Sequence, residues 1–233
     1  MRQIRLASPS CITVRMPSLS LDERLARRPI VHLTPRYIWN RLGTIIREIT
    51  HPDEPWLTEE AIEILERLLH PSDIGVEFGS GRSTAWFASR TKRLWSVEHS
   101  PKWHALVRQR LVEAGCRNVS YHLVRANENR PTDPERHRYV RFWNAAGPRR
   151  FHYALIDGLY RDRCALAVVD HIAPGGLLIV DNANWYLPHQ SRSPNTARNP
   201  SSPLWARFAA AVKSWRRIWT SNGVTDTAVW IKP

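Results

Sequence analysis

Glycine and acidic residues between Glu77 and Glu98 are of the types, and lie at the spacing, that hold a nucleoside-bearing cofactor. Gly79 and Gly81 allow the backbone to turn sharply and to approach a ligand closely. A helix that begins just after such a turn offers free N–H groups and the positive end of its dipole to an anionic group. Glu98 follows the next short apolar run, where a carboxylate can accept hydrogen bonds from both hydroxyls of a ribose. The stretch therefore predicts strand, glycine turn, helix, strand and acid.

A second group of polar residues follows two later apolar runs. Asp157 comes directly after Phe151–Ile156, and Asp181 with Asn182 comes directly after Leu177–Val180. Because the carboxyl ends of parallel strands meet at one edge of a sheet, these side chains are expected to lie near the glycine turn. Three oxygen ligands of this kind could hold a hard divalent ion such as Mg²⁺. The alternative is that the two aspartates only cap loops or touch the amino group of a cofactor.

The elements that must position these side chains follow from the spacing of apolar residues. Near-continuous apolar runs separated by helices are typical of parallel strands covered on both faces, and an Asn-Gly pair between the last two runs predicts a hairpin. Strands are predicted at Val76–Phe78, Leu94–Val97, Val119–Val124, Phe151–Ile156, Leu177–Val180, Arg217–Thr220 and Thr227–Ile231. Helices are predicted at Tyr37–Ile49, Thr58–His70, Ser83–Arg90, Pro101–Ala114, Cys164–Ile172 and Leu204–Val212. Residues 126–150, apart from a short aromatic insert at Tyr139–Trp143, and residues 184–203 are predicted to be loops.

Length and composition predict a single domain. A chain of 233 residues is long enough for one sizeable core and too short for two comfortable domains. Residues 1–34 are expected to be a flexible tail and residues 35–233 one domain, with 35–56 as a helical lid or packing extension. No apolar run reaches the roughly 18 residues of a membrane span, and three widely separated cysteines favour a reducing compartment. We therefore expect a soluble, cytoplasmic protein.

Two features resemble those of known methyltransferases. The sequence E-F-G-S-G resembles motif I of the class I methyltransferases, and the C-terminal hairpin is similar to the end of their sheet. The resemblance implies an α/β fold with a Rossmann-like, doubly wound, mostly parallel seven-stranded sheet and an antiparallel C-terminal hairpin strand. It also implies S-adenosylmethionine as the cofactor, with its ribose on Glu98. The other residues expected to contact the cofactor are Glu77, Gly79, Ser80, Gly81, Ser83 and Asp157.

A nicotinamide dinucleotide is the alternative cofactor. Glu98 lies at roughly the distance after the glycines that such a site requires. The third position of the G-x-G-x-x-G pattern is Thr84, however, where a dinucleotide fold carries glycine or alanine. A tight turn between strand and helix, with no ligand, also remains open.

The residues after the fourth and fifth predicted strands resemble a narrower group. A-L-I-D-G and L-L-I-V-D-N-A-N-W are similar to the cation-dependent O-methyltransferases of the catechol and caffeoyl-coenzyme A type. The resemblance implies Asp157, Asp181 and Asn182 as ligands of Mg²⁺. Those enzymes carry a lysine three residues after the first aspartate, where this chain has Tyr160 followed by Arg161. The stretch I-D-G-L-Y-R-D-R-C also resembles bacterial methyltransferase-like proteins associated with sugar or natural-product modification.

Methyl transfer to an oxygen of a small molecule or glycan is the reaction that these resemblances favour. A bound metal would lower the pKa of the acceptor hydroxyl and position it. Without metal, Asp157, Tyr160 or His189 would accept the proton, or leave it to water. Arg161 cannot act as a base at neutral pH, but it could bind an anionic acceptor. His189 lies in a predicted loop, where a surface position is the simpler expectation, and Trp185 is expected at a pocket wall.

The net positive charge of the chain makes nucleic acid an alternative substrate. It carries 34 basic and 21 acidic residues, a net charge of +13, which attracts phosphates over long distances. An RNA or DNA methyltransferase is therefore the alternative function. The arginines are scattered, however, and the fourth strand ends in Asp-Gly rather than in a signature of base amino-group methylation. A protein that binds the cofactor without turnover is a third alternative, since the lysine is missing.

Overall fold

The computed structural model describes residues 34–126, 132–144, 147–148 and 150–233. The predicted tail at 1–34 lies outside these residues except for Thr34. Within the described residues, seven strands form one sheet in the order β3-β2-β1-β4-β5-β7-β6. The strands are β1 Ile74–Phe78, β2 Arg93–Glu98, β3 Val119–Leu123, β4 Phe151–Ile156, β5 Ile172–Asp181, β6 Arg216–Ser221 and β7 Asp226–Ile231.

Helices connect most of the strands. They are α1 Pro35–Thr50, α2 Glu59–Leu68, α3 Arg82–Ala88, α4 Pro101–Glu113, α5 Asp133–Val140, α6 Arg161–Val169 and α7 Pro203–Ala211, with a 3₁₀ turn at Ala183–Trp185. The predicted elements are all present. The predicted fold class is confirmed, because the first five strands are parallel and the C-terminal strands run antiparallel.

Two stretches differ from the sequence expectation. Residues 126–150, predicted to be mostly loop, contain helix α5. Its C-terminal end packs into the core, where Tyr139 is fully buried. Strand β5 begins at Ile172, five residues earlier than the apolar run predicts, and passes through Pro174-Gly175-Gly176. The glycines do not end the strand because Gly175 donates to the Lys232 carbonyl at 2.9 Å, while Lys232 donates back to Gly176 at 2.9 Å.

The strand order reverses between β1 and β4. From β1 the chain moves outward to β2 and β3, and it then returns to place β4 on the other side of β1. In an open parallel sheet, such a reversal leaves a crevice outside the carboxyl ends of the two strands, where ligands bind. The loops that follow Phe78 and Ile156 therefore define the edge of the sheet at which a site is expected.

Each face of the sheet carries its own apolar core. Alternate residues of β4 point to opposite faces, so Ala154 and Ile156 belong to one core while Tyr153 and Leu155 belong to the other. All four are fully buried. Burial on both faces explains why the central strands read as continuous apolar runs.

Helix α1 packs on the domain through its polar side. Thr34 caps its first turn by accepting a hydrogen bond from the Tyr37 N–H at 3.2 Å, and Arg82 donates to the Glu48 carbonyl at 2.9 Å. Most of the apolar residues whose spacing predicts this helix face outward, and the exposed ones are Ile38, Leu42, Ile46 and Ile49. Tyr37 and Ile45 are half-buried, and Trp39 is also exposed. Within the described part of the chain, none of the helices is long and apolar enough to cross a membrane.

Candidate active site

The glycine turn after β1 touches the loop after β4. Gly79 has a φ of +87°, a conformation that side chains rarely adopt, and a Cβ placed on it would lie 2.6 Å from the Gly158 Cα. A Cβ on Gly158 would in turn collide with the Tyr139 hydroxyl. Glycine is therefore required at both positions for the two loops to approach, and the approach joins the predicted cofactor turn to the Asp157 loop.

Glu77 anchors the glycine turn from below. Its carboxylate is fully buried and accepts hydrogen bonds from the hydroxyls of Ser83 at 2.6 Å, Thr84 at 2.7 Å and Ser96 at 2.6 Å. Thr84 also accepts the Gly81 N–H at 3.0 Å, which fixes the start of α3. Burial raises the pKa of Glu77 to about 7, although the three hydroxyl donors oppose that rise.

Glu98 lies beside the same turn in a different environment. It is 3% exposed, and its carboxylate accepts the Ser80 N–H and the Ser80 hydroxyl at 3.1 Å each and the Ser100 N–H at 2.8 Å. Burial favours the neutral acid, but hydrogen bonds from His99 and Ser100 outweigh it and lower the pKa of Glu98. The carboxylate is thus held ionised at the tip of β2, next to the glycine turn.

Ser80 is fixed by aromatic residues that the sequence did not single out. Its hydroxyl lies 2.6 Å from the Tyr121 hydroxyl, and its carbonyl accepts the Trp103 indole N–H at 2.6 Å. Tyr121 comes from β3 and Trp103 from α4. Together with Glu98 of β2, these contacts bring three elements to the residue between the two glycines, a convergence that only the folded chain reveals.

Asp157, Asp181 and Asn182 lie together at the ends of β4 and β5, with Arg161 between them. The guanidinium donates to Asp157 Oδ1 at 2.7 Å, to the Asp181 carbonyl at 2.6 Å and to Asn182 Oδ1 at 3.2 Å. Thr227 completes the group by donating to Asp181 Oδ1 at 3.0 Å. The sequence predicted that Asp157, Asp181 and Asn182 lie close together. It did not predict that the Arg161 guanidinium lies between them.

This arrangement does not fit a divalent metal ion. One carboxylate oxygen of Asp157 and the side-chain oxygen of Asn182 already accept hydrogen bonds from the Arg161 guanidinium. Asp181 Oδ1 accepts one from Thr227. Among the described residues, no group of three or more His, Cys, Asp or Glu side chains is placed to hold a metal. The expected Mg²⁺ site therefore finds no support in the geometry.

Both aspartates have perturbed acidities. Burial raises the pKa of Asp157, while the adjacent Arg161 opposes the rise. Burial and the neighbouring charge of Asp157 together raise the pKa of Asp181 to about 7. The negative charge of Glu98 makes a further, smaller contribution that raises the pKa of Asp157.

The remaining candidates lie around this edge. Tyr160 precedes α6 in a left-handed conformation (φ 49°), with its ring edge-on to Tyr139 at 5.8 Å. His189 stacks on Trp219 of β6 at 4.2 Å, and burial together with Arg217 lowers its pKa. Trp185 ends the 3₁₀ turn that follows Asn182.

Comparison with known proteins identifies the architecture. A methyltransferase-like protein from Silicibacter pomeroyi has 20% sequence identity and a TM-score of 0.55, over 77% of this chain and 89% of that one. An O-methyltransferase from Bacillus cereus, solved in complex with SAH, has 13% identity and a TM-score of 0.53, over 91% of this chain and 95% of that one. The fold is that of the class I methyltransferases. No protein-family model and no curated protein matches the chain.

Within this methyltransferase fold, two hydroxyl groups that donate to buried acidic side chains were not predicted from the sequence. Ser96 lies beside Glu77 in the parallel register of β1 and β2, and Thr227 lies opposite Asp181 in the antiparallel register of β5 and β7. Strand register was the signal that could have found them. Arg161, four residues after Asp157, had a signal of its own in that spacing.

Proposed function

We propose that the protein is an S-adenosylmethionine-dependent methyltransferase that acts on a hydroxyl oxygen of a small molecule or glycan. The observation that carries the proposal is the pairing of an ionised Glu98 with the Gly79–Gly81 turn at the point where strand order reverses. A carboxylate in that position suits a ribose diol, and the start of α3 suits an anionic carboxylate group.

Each proposed cofactor contact has a distinct role. The ribose hydroxyls would donate to Glu98 in place of the Ser80 hydroxyl, which now donates to it at 3.1 Å. The backbone of Gly79, Ser80 and Gly81 would face the methionine part. Glu77 and Ser83, which are hydrogen bonded to each other at 2.6 Å, would hold the shape of the turn rather than touch the ligand.

The cofactor, when bound, supplies a sulfonium methyl group that is already activated for transfer. The chain would contribute orientation of the acceptor and exclusion of water. Asp157 is the group that we propose to receive the acceptor proton, because its side chain remains 32% exposed in the loop that touches the glycine turn. Tyr160 stands at the same loop and would border the acceptor.

Calorimetric titration tests cofactor binding and the role of Glu98 together. S-Adenosylmethionine is expected to bind the wild type, and Glu98→Gln to weaken it by about 10- to 100-fold through loss of charge-assisted hydrogen bonds. Glu63→Gln, at an exposed position of α2, is the matched control. Titrations with adenosine and 2′,3′-dideoxyadenosine distinguish loss of the ribose contact from a general effect on the fold. Glu98→Gln should weaken the binding of adenosine, and should not change the binding of the dideoxy compound, which lacks the ribose hydroxyls. Tight NADH binding with no binding of S-adenosylmethionine would overturn the proposal.

An RNA methyltransferase is the second candidate, favoured by the net charge of +13. If RNA is the substrate, the affinity of the protein for RNA should fall steeply as the salt concentration rises, because each neutralised phosphate releases counterions. Transfer of labelled methyl groups to total RNA, with none to small hydroxylated acceptors, would favour this candidate over the first.

A further inference from the structure

Arg161 occupies a position that a cation does not favour. It is the first residue of α6, where the positive end of the helix dipole opposes a positive side chain. The side chain is nevertheless held with only 14% of its surface exposed. Its surroundings must therefore stabilise the charge strongly.

The stabilisation comes from a full set of hydrogen bonds. A guanidinium has five N–H donors in a rigid planar fork. Nε donates to the Gly158 carbonyl at 3.1 Å, Nη1 to the Asp181 carbonyl and to Asn182 Oδ1, and Nη2 to the carbonyl and Oδ1 of Asp157 at 2.8 and 2.7 Å. All five donors therefore have acceptors within the protein.

Two consequences follow from this saturation. Arg161 has no N–H left for an anionic acceptor, which removes the support for the substrate-binding role expected from the sequence. The guanidinium also joins the end of β4 to the end of β5, because its acceptors come from both strands' loops. Two of its acceptors, Asp157 Oδ1 and Asn182 Oδ1, are side-chain oxygens of residues that the resemblance assigns to Mg²⁺.

We propose that the Arg161 guanidinium is the resident cation of this edge and takes the place of a divalent ion. It neutralises part of the charge of Asp157 and Asp181, fixes the two strand ends relative to each other, and makes the site independent of metal. Arg161 is thus a positioning residue that acts through Asp157 and Asn182. The inference rests on the proposed function only for its effect on turnover.

Manganese binding to the wild type tests this directly, without cofactor or acceptor. The electron paramagnetic resonance signal of free Mn²⁺ is expected to be unchanged by the protein, with any dissociation constant weaker than about 1 mM. Prolonged dialysis against EDTA is expected to leave the affinity for S-adenosylmethionine unchanged. One Mn²⁺ bound per chain in the micromolar range, and lost in Asp181→Asn, would overturn the proposal.

Removal of the guanidinium should create the site that it now fills. Arg161→Ala is expected to bind one Mn²⁺ at least about tenfold more tightly than the wild type, because it exposes oxygens from two strand ends. Mn²⁺ should also raise the melting temperature of this variant, since a ligand that binds only the folded state stabilises it. Arg163→Ala, at an exposed position of the same helix, is the matched control and should gain nothing. Arg161→Gln removes the charge with less loss of volume and serves if the alanine variant does not fold.

The outcomes separate this inference from the proposed function. No gain of Mn²⁺ binding in folded Arg161→Ala or Arg161→Gln would overturn the role of the arginine as a metal replacement. Failure of S-adenosylmethionine to bind the wild type would instead overturn the proposed function, while the manganese results would still report on Arg161.

Discussion

Glu77 and Glu98 lie near one edge of the sheet, and their pKa values are shifted in opposite directions. Burial raises the pKa of Glu77 to about 7, whereas hydrogen bonds from His99 and Ser100 outweigh burial at Glu98 and lower its pKa. At Glu77 burial outweighs three neutral hydroxyl donors, whereas at Glu98 backbone N–H groups and a histidine outweigh burial. The first carboxyl group suits an internal anchor and the second suits an ionised ligand contact.

The acidity of Glu77 predicts how stability depends on pH. The folded protein keeps the Glu77 proton up to about pH 7, whereas the unfolded chain loses it near the ordinary value of 4.5. The unfolded state holds fewer protons between these values, so the free energy of unfolding should fall as pH rises from about 5 to about 7. The gap between the two pKa values corresponds to on the order of 3 kcal/mol.

Glu77→Gln should remove this contribution, so that urea denaturation shows a smaller loss of stability over the same pH range. Asp181, whose pKa is also raised to about 7, contributes in the same direction and remains in both proteins. Glu63→Gln is the exposed control and should keep the wild-type dependence. An unchanged pH dependence in Glu77→Gln would contradict the prediction.

At the scale of elements, α1 is unusual because its polar side contacts the domain. Arg47 pairs with Glu54 at 2.9 Å, and the Glu48 carbonyl accepts from Arg82. Its outward apolar residues include Ile46, which is 60% exposed. The buried apolar face that an amphipathic helix normally supplies is instead found in α2, where Leu65 is fully buried.

This orientation predicts different costs for apolar substitutions in the two helices. Ile46→Lys in α1 should change the free energy of unfolding by no more than about 0.5 kcal/mol, because the side chain packs against little. Leu65→Ala in α2 should cost about 2 to 5 kcal/mol through lost burial and a cavity. Urea denaturation measures both, and a loss above about 2 kcal/mol for Ile46→Lys would show that its apolar side is covered in solution.

At the scale of the whole molecule, stability is concentrated in the centre of the sheet. Strands β1, β4 and β5 have neighbours on both sides and apolar cores on both faces, whereas α1 contains no buried residue. Regions with little buried apolar contact open locally at a small fraction of the global free energy.

Hydrogen exchange followed by mass spectrometry should reproduce this gradient. Peptides from β4 and β5 should exchange only on global unfolding, and peptides from α1 should exchange at least about 100-fold faster through local opening. Peptides from edge strand β3 provide an intermediate reference, because its side chains are only partly buried. Equal protection of α1 and β4 would mean that α1 is an integral part of the core.

The sequence by itself determined the sheet and the edge at which the site lies. Apolar runs fixed the central strands because both faces of a parallel sheet must be apolar, and Gly79 marked the turn because its positive φ is a conformation that favours glycine. The polar residues that directly follow the parallel strands were therefore expected at the same edge of the sheet, where the carboxyl ends of those strands lie. These inferences need only local patterns and the rule that parallel strands end together.

Only the tertiary structure decided which groups meet at that edge. The spacing of Asp157 and Arg161 allows the guanidinium to point inward or into solvent, and the acceptors that draw it inward come from Asp181 and Asn182 on another strand. The orientation of α1 could not be predicted for a similar reason. The periodicity of its apolar residues indicates that the helix has an apolar side, but not whether that side faces the core or the solvent. Direction and partnership depend on contacts between residues distant in sequence, and those contacts exist only once the chain has folded.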